Sequence, residues 1–102
     1  IYNMDEKLVA GIKATTEGGV LGIANMDEKL VAGLIATADG GMLNIFNKDG
    51  NQIARIAAHA DGGGLGIQNK DGKLVALIGA DADGGGEIAT IDSKGEITSQ
   101  SP

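Results

Sequence analysis

A period of 22 residues governs this chain. Asn3, Asn25, Asn47 and Asn69 fall at equal steps of 22, as do Asp5, Asp27, Asp49 and Asp71, and Ile1, Ile23, Ile45 and Ile67. Residues 3–11 and 25–33 are the same nine, NMDEKLVAG. Self-similarity at a fixed period marks a repeat architecture, in which a unit buries its apolar surface only against its neighbours. The units run 1–22, 23–44, 45–66 and 67–88, and residues 89–102 form a partial capping unit of the same domain. After Asp83 the register slips by one, since Gly72 maps onto Gly95, a step of 23.

Each unit alternates two extended segments with two turns. In Leu65-Gly66-Ile67-Gln68-Asn69 the two-residue period of a strand puts Leu65, Ile67 and Asn69 on one face. Asn69-Lys70-Asp71-Gly72 is a hairpin signal, because Asn, Asp and Gly tolerate positive φ. Units one and two carry Glu6 and Glu28 where Gly50 and Gly72 stand, so the turn does not strictly require glycine. The second strand, residues 73–80, places Leu74, Ala76, Ile78 and Ala80 on one face. Its equivalents are Ala10, Ile12 and Ala14, then Ala32, Leu34 and Ala36, then Ala54, Ile56 and Ala58. The unit ends on a second turn, Glu17-Gly18-Gly19, Asp39-Gly40-Gly41, Asp61-Gly62-Gly63 and Asp83-Gly84-Gly85. A helix is excluded, because glycine every few residues would cost about 1 kcal/mol each in a helix interior. The fold class is all-β.

The apolar content sets how such strands can assemble. One Phe, one Tyr and no Trp leave Ala, Ile, Leu and Val to fill any interior. A narrow space built from identical layers suits them better than the varied core of a globular enzyme. Two arrangements meet this condition. In a single-chain β-solenoid equivalent residues stack about 4.8 Å apart, and each acidic column stacks with it. In an antiparallel meander of β-hairpins equivalents lie about 9.6 Å apart, roughly one Debye length at physiological salt. Electrostatics and the Asn-x-Asp-Gly turn favour the meander. A meander with one apolar face must cover it, and closed symmetry supplies the cover. The expected assembly is a homotrimeric β-prism, or a filament, with Ala10, Ile12, Ala32, Leu34, Ala54, Ile56, Ala76 and Ile78 lining the shared interior.

The run NKDGKLVALIGADADGGG resembles the unit of uncharacterised bacterial and phage tandem-repeat proteins, which read approximately N-K-D-G-K-x-V-A-x-L-G-A-D-x-D-G-G-G. The likeness spans nearly the whole chain and is looser in the first two units, where Met-Asp-Glu replaces Lys-Asp-Gly. It implies an extended repeat protein of bacterial or phage origin; separately, the expected place of such a repeat is a cell or virion surface.

Composition narrows the function classes. A net charge of −6 with 8 Lys and Arg argues against nucleic acid, which demands a basic face. Absent cysteine removes disulfides, thiolate metal sites and thiol nucleophiles. No apolar run approaches the roughly 20 residues of a membrane span. The chain opens on Ile1 rather than Met, which reads as a truncated or processed terminus.

Chemistry-bearing residues are few. Asp81, Asp83 and Glu87 flank a triple glycine and are the best candidates for an oxygen-seeking cation such as Ca²⁺, though turn chemistry explains them more simply. Gly62-Gly63-Gly64 lacks the following helix that a phosphate loop needs. Asp5-Glu6 and Asp27-Glu28 sit at turn tips with no cleft between them. Catalysis needs different residues converging in distinct roles, whereas this chain repeats nearly the same ones. The expectation is a non-catalytic structural β-repeat: a stalk, fibre shaft or filament segment with no cofactor. The rival reading is a binding module for an extended ligand (glycan, protein or cation). For it the departures from the repeat, Phe46, Arg55 and His59, all in unit three, mark the surface.

Overall fold

The computed structural model describes every residue except Asn3, so that the first member of the Asn series lies outside the described residues. The described residues form one sheet of nine strands: β1 (Ala10–Thr15), β2 (Gly18–Ala24), β3 (Leu30–Thr37), β4 (Gly40–Phe46), β5 (Gln52–His59), β6 (Gly62–Gln68), β7 (Leu74–Ala80), β8 (Gly86–Ile91) and β9 (Ile97–Ser101). They pair in chain order, each antiparallel to the next, as an open meander that does not close into a barrel. One repeat is one hairpin. Among the described residues there is no helix, and so none long and apolar enough to cross a membrane.

Register turns the period into rows. Ile12, Leu21, Leu34, Leu43, Ile56, Leu65, Ile78 and Ile88 face one another from strand to strand across β1–β8. Beside them runs Ala10, Ile23, Ala32, Ile45, Ala54, Ile67 and Ala76, small and large in alternation. All eight expected interior residues therefore share a face, and pairing adds Leu21, Leu43, Leu65 and Ile88 to it. The opposite face carries Gly11, Gly22, Gly33, Asn44, Arg55, Gly66, Leu77 and Ala89 in one row.

The two faces differ in shelter. Gly33, Asn44 and Ala89, the buried residues of the described chain, all lie in the glycine-rich row. The aliphatic face is open: Ile12 is 83% exposed, and Ile56 and Ile78 about half. A flat single sheet is about 10 Å thick, whereas this one measures 49 × 29 × 18 Å, so it is twisted rather than flat. Bulges add to the twist. At Ile23/Ala24, Ile45/Phe46, Ile67/Gln68 and Thr90/Ile91 the register shifts by one residue, which bends a strand and deepens its twist.

Two kinds of turn join the strands. The short ones, after β1, β3 and β5, leave only two residues between paired ends, as at Thr15↔Gly18. Thr15 Oγ1 donates to Gly18 O and accepts the Glu17 amide, and Thr37 does the same for Gly40 and Asp39. The longer turns, 25–29, 47–51 and 69–73, are organised by the Asn of the repeat. Asn25 Oδ1 accepts the amides of Asp27 and Lys29 at 2.9 and 3.1 Å, and Asn47 and Asn69 repeat the geometry. Side chains also tie each such turn to its neighbour: Lys7 Nζ reaches Met26 O, Asn51 Nδ2 reaches Lys70 O, and Lys73 Nζ reaches Ser93 O.

The fourth position of this longer turn has positive φ in every unit: 64° at Glu6, 63° at Glu28, 86° at Gly50 and 83° at Gly72. The sequence tolerates Glu here, but the backbone conformation remains the one glycine prefers, at about 1 kcal/mol for a side chain. Glu28→Gly is accordingly expected to stabilise the sheet by about 1 kcal/mol and to raise the thermal midpoint by several degrees, readable by circular dichroism.

One expectation is corrected. Asp83-Gly84-Gly85 resembles Asp61-Gly62-Gly63 in sequence, yet the two turns differ. Residues 81–85 build the longer type, with Asp81 in the role of Asn69 and Gly84 at φ 87°. Five residues separate the paired Ala80 and Gly86, where four separate Ala58 and Gly63. That one added residue is the slip in the repeat.

Candidate functional site

The sheltered face offers two hollows. The one at the β1 end, about 970 Å³, is walled largely by aliphatic side chains such as Leu8, Val9, Val20 and Leu30. The other, about 510 Å³, lies over β5–β7 and is the polar one, lined among others by Gln52, Arg55, His59, Gln68 and Glu87.

Strand geometry places these groups. Arg55 and His59 are four residues apart on β5 and so point to the same side, about 13 Å apart along the strand. Ala57 lies between them opposite Gly64, and Gly66 faces Arg55. The His59 ring lies over Gly64 and the Leu74 side chain over Gly66. The guanidinium is held in place: Arg55 Nε donates to Asn44 Oδ1 at 3.0 Å and Nη2 donates to Gln52 Oε1 at 3.1 Å. Gln52 Nε2 in turn donates to Gln68 Oε1 at 2.9 Å, so one chain of hydrogen bonds crosses β4, β5 and β6. Asn44 is 5% exposed beneath it. Burying that carboxamide is tolerable because Arg55 satisfies it.

His59 takes the part that Thr15 and Thr37 play in the other short turns. Its Nδ1 accepts the Asp61 amide at 3.3 Å. With Nδ1 an acceptor, the neutral ring carries its proton on Nε2, and that nitrogen sits over Gly64. Phe46 pairs with Gln52 at the bulged end of β4 and is not among the residues lining the hollow. Of the three departures marked in the sequence, Arg55 and His59 are thus brought together and Phe46 is set apart. Asn44, Gln52 and Gln68 are the residues that sequence reasoning missed. Their signal was available at the period of 22: Gly22 and Gly66 match Asn44, Leu30 and Leu74 match Gln52, and Ala24 and Phe46 match Gln68.

The cation candidates do not converge. Asp81 Oδ1 accepts the amides of Asp83 and Gly85 at 3.0 and 2.9 Å, which is turn closure. Glu87 faces the sheltered side from β8, where Oε1 accepts Gln100 Nε2. The described residues contain no group of three or more His, Asp or Glu spaced to hold a metal ion. Asp81→Asn is expected to leave stability unchanged, since a carboxamide oxygen closes the turns at 47–51 and 69–73 equally well. Asp81→Ala should cost about 1 kcal/mol, and chelator should leave the midpoint of the wild-type chain in place. A large fall with chelator would restore the cation reading.

No family model matches the chain, and no curated protein shows significant similarity to it.

Proposed function

We propose that the protein is a non-catalytic structural β-repeat, a segment of a stalk, fibre shaft or filament at a cell or virion surface, whose sheets pack on one another through their aliphatic faces. One observation carries this reading: a sheet with an unbroken row of eight Leu and Ile across it, of which Ile12, Leu34, Ile56, Ile78 and Ile88 are about half exposed or more. The single chain exposes 6940 Å² for its 10.2 kDa, where a compact monomer of that mass exposes about 5300 Å². The excess, about 1600 Å², is what one chain buries in two standard interfaces, at about 800 Å² per partner in each. A radius of gyration of 16.0 Å, against about 13 Å for a compact domain of this length, says the same in another way.

Three copies around an axis fit the face best. Its side chains are short, and the Ala–Ile alternation of the second row lets three sheets converge where aromatic groups would hold them apart. Closed rotational symmetry covers every copy equally and leaves no apolar face exposed. The role requires no cofactor, and its reach comes from repetition. Light scattering tests it. A mass three times 10.2 kDa, stable to dilution, is the expected result. A folded monomer that survives dilution would overturn the assembly and the function built on it.

A further inference from the structure

The departures from the repeat are not scattered. Asn44, Gln52, Arg55, His59 and Gln68 stand where other units carry Gly, Leu, Gly or Leu, Thr or Asp, and Tyr, Ala or Phe, respectively. All five belong to the sheltered side of β4–β6, and four of them form a single hydrogen-bonded chain. A shaft needs none of this, since Gly22 and Gly66 fill the same places in the row without any polar group. Unit three, with Asn44 and Gln68 at its two borders, carries a preorganised polar surface that is not repeated along the sheet.

We propose that this hollow is a binding site for an oligosaccharide bearing a uronic acid, whose carboxylate is held by Arg55. The guanidinium has five N–H groups. Among the described residues two of them are spent, on the oxygens of Asn44 and Gln52. The remaining three suffice for a two-pronged contact with a carboxylate. Both partners are neutral carboxamides, which fix the group without cancelling its charge. A single guanidinium with no Lys beside it matches one negative charge rather than a phosphate cluster. Glu87 on the opposite wall turns away a densely anionic polymer but accepts hydroxyl protons. The carboxamides of Gln52 and Gln68 and the Nε2–H of His59 add further hydrogen-bonding groups along about 13 Å of strand, the scale of a short sugar chain. Gly64, Gly66 and Gly79 are also among the residues that line it.

This site rests on the sheets assembling through the other face, which leaves it outward. The probe is a tetrasaccharide of alternating glucuronate and N-acetylglucosamine, titrated into the intact protein and followed by amide NMR shifts, with molar mass measured on the same samples. Saturable shifts confined to β4–β8 are expected, with much weaker binding of a neutral N-acetylglucosamine tetrasaccharide and of inorganic phosphate. Arg55→Leu, the residue of unit four, should weaken binding at least tenfold, and Arg55→Lys should restore part of it. Gln68→Ala, the residue of unit two, reads the same hollow should Arg55→Leu disturb assembly. Equal binding of the neutral sugar or of phosphate, no saturation, or full affinity in both Arg55→Leu and Gln68→Ala would overturn the proposal. Failure to bind in a sample that retains the assembled mass sinks the site alone. Binding by a monomer sinks the assembly alone.

Discussion

Ile56→Asp is expected to abolish assembly and folding together. Ile56 stands mid-row between Leu43 and Leu65, and half of it is exposed in the single sheet. On a lone sheet a carboxylate there would reach water, and its effect would be close to the 1 kcal/mol or so of an ordinary substitution. In an assembly that shares this face the same carboxylate is buried against its symmetry mates without a partner. The cost of that is several kcal/mol per copy, which is most of what a domain this size has. Light scattering and far-ultraviolet circular dichroism read the two consequences in one sample. A variant that keeps both mass and strand signal would show that the aliphatic face is not the interface. Lys13→Gln, on the other face, serves as control and should stay within about 0.5 kcal/mol of wild type.

Gly62→Ala should lower the thermal midpoint by roughly 15 °C, and Gly63→Ala hardly at all. The two glycines are adjacent, but their surroundings differ. A Cβ at Gly62 would lie 2.8 Å from the Cβ of Ala80, closer than real methyl carbons approach, and its φ is 136°. Strained backbone and overpacking together come to about 3 kcal/mol. At Gly63 nothing lies within 4 Å and the φ is ordinary. Gly18 against Ala36 and Gly40 against Ala58 have the same 2.8 Å spacing, so Gly40→Ala and Gly41→Ala should reproduce the contrast. This contact joins consecutive units, and it explains why glycine persists there while Gly50 is replaced by Glu in unit two.

The period of 22 made the hairpin, the meander and the aliphatic face legible, because all three follow from what repeats. What the sequence concealed depends on register or on chain count. Leu21, Leu43 and Leu65 lie on the first strand of each hairpin, and only pairing shows that they continue the row begun at Ile12. The turn at 81–85 was misread because Asp-Gly-Gly occurs in both classes. The distinguishing feature is Asp81 two residues earlier, a carboxylate serving as the acceptor that Asn provides elsewhere. The hollow was half visible. Arg55 and His59 stood out by charge, whereas Asn44, Gln52 and Gln68 are ordinary residues whose meaning lies in meeting across β4, β5 and β6.

The hairpin that each unit contributes makes the sheet a ruler graduated in whole steps. Removing residues 23–44 takes out two strands, returns the chain to the same edge and lays Ile12 and its row on the same side as before. Removing eleven residues would reverse every later strand and bring the wrong turns together. Length therefore changes by about 9.6 Å at a time, and never by less. The shared run NMDEKLVAG lets unequal exchange between neighbouring copies in the coding sequence make such a step in one event, lengthening or shortening the sheet without a new fold having to be found.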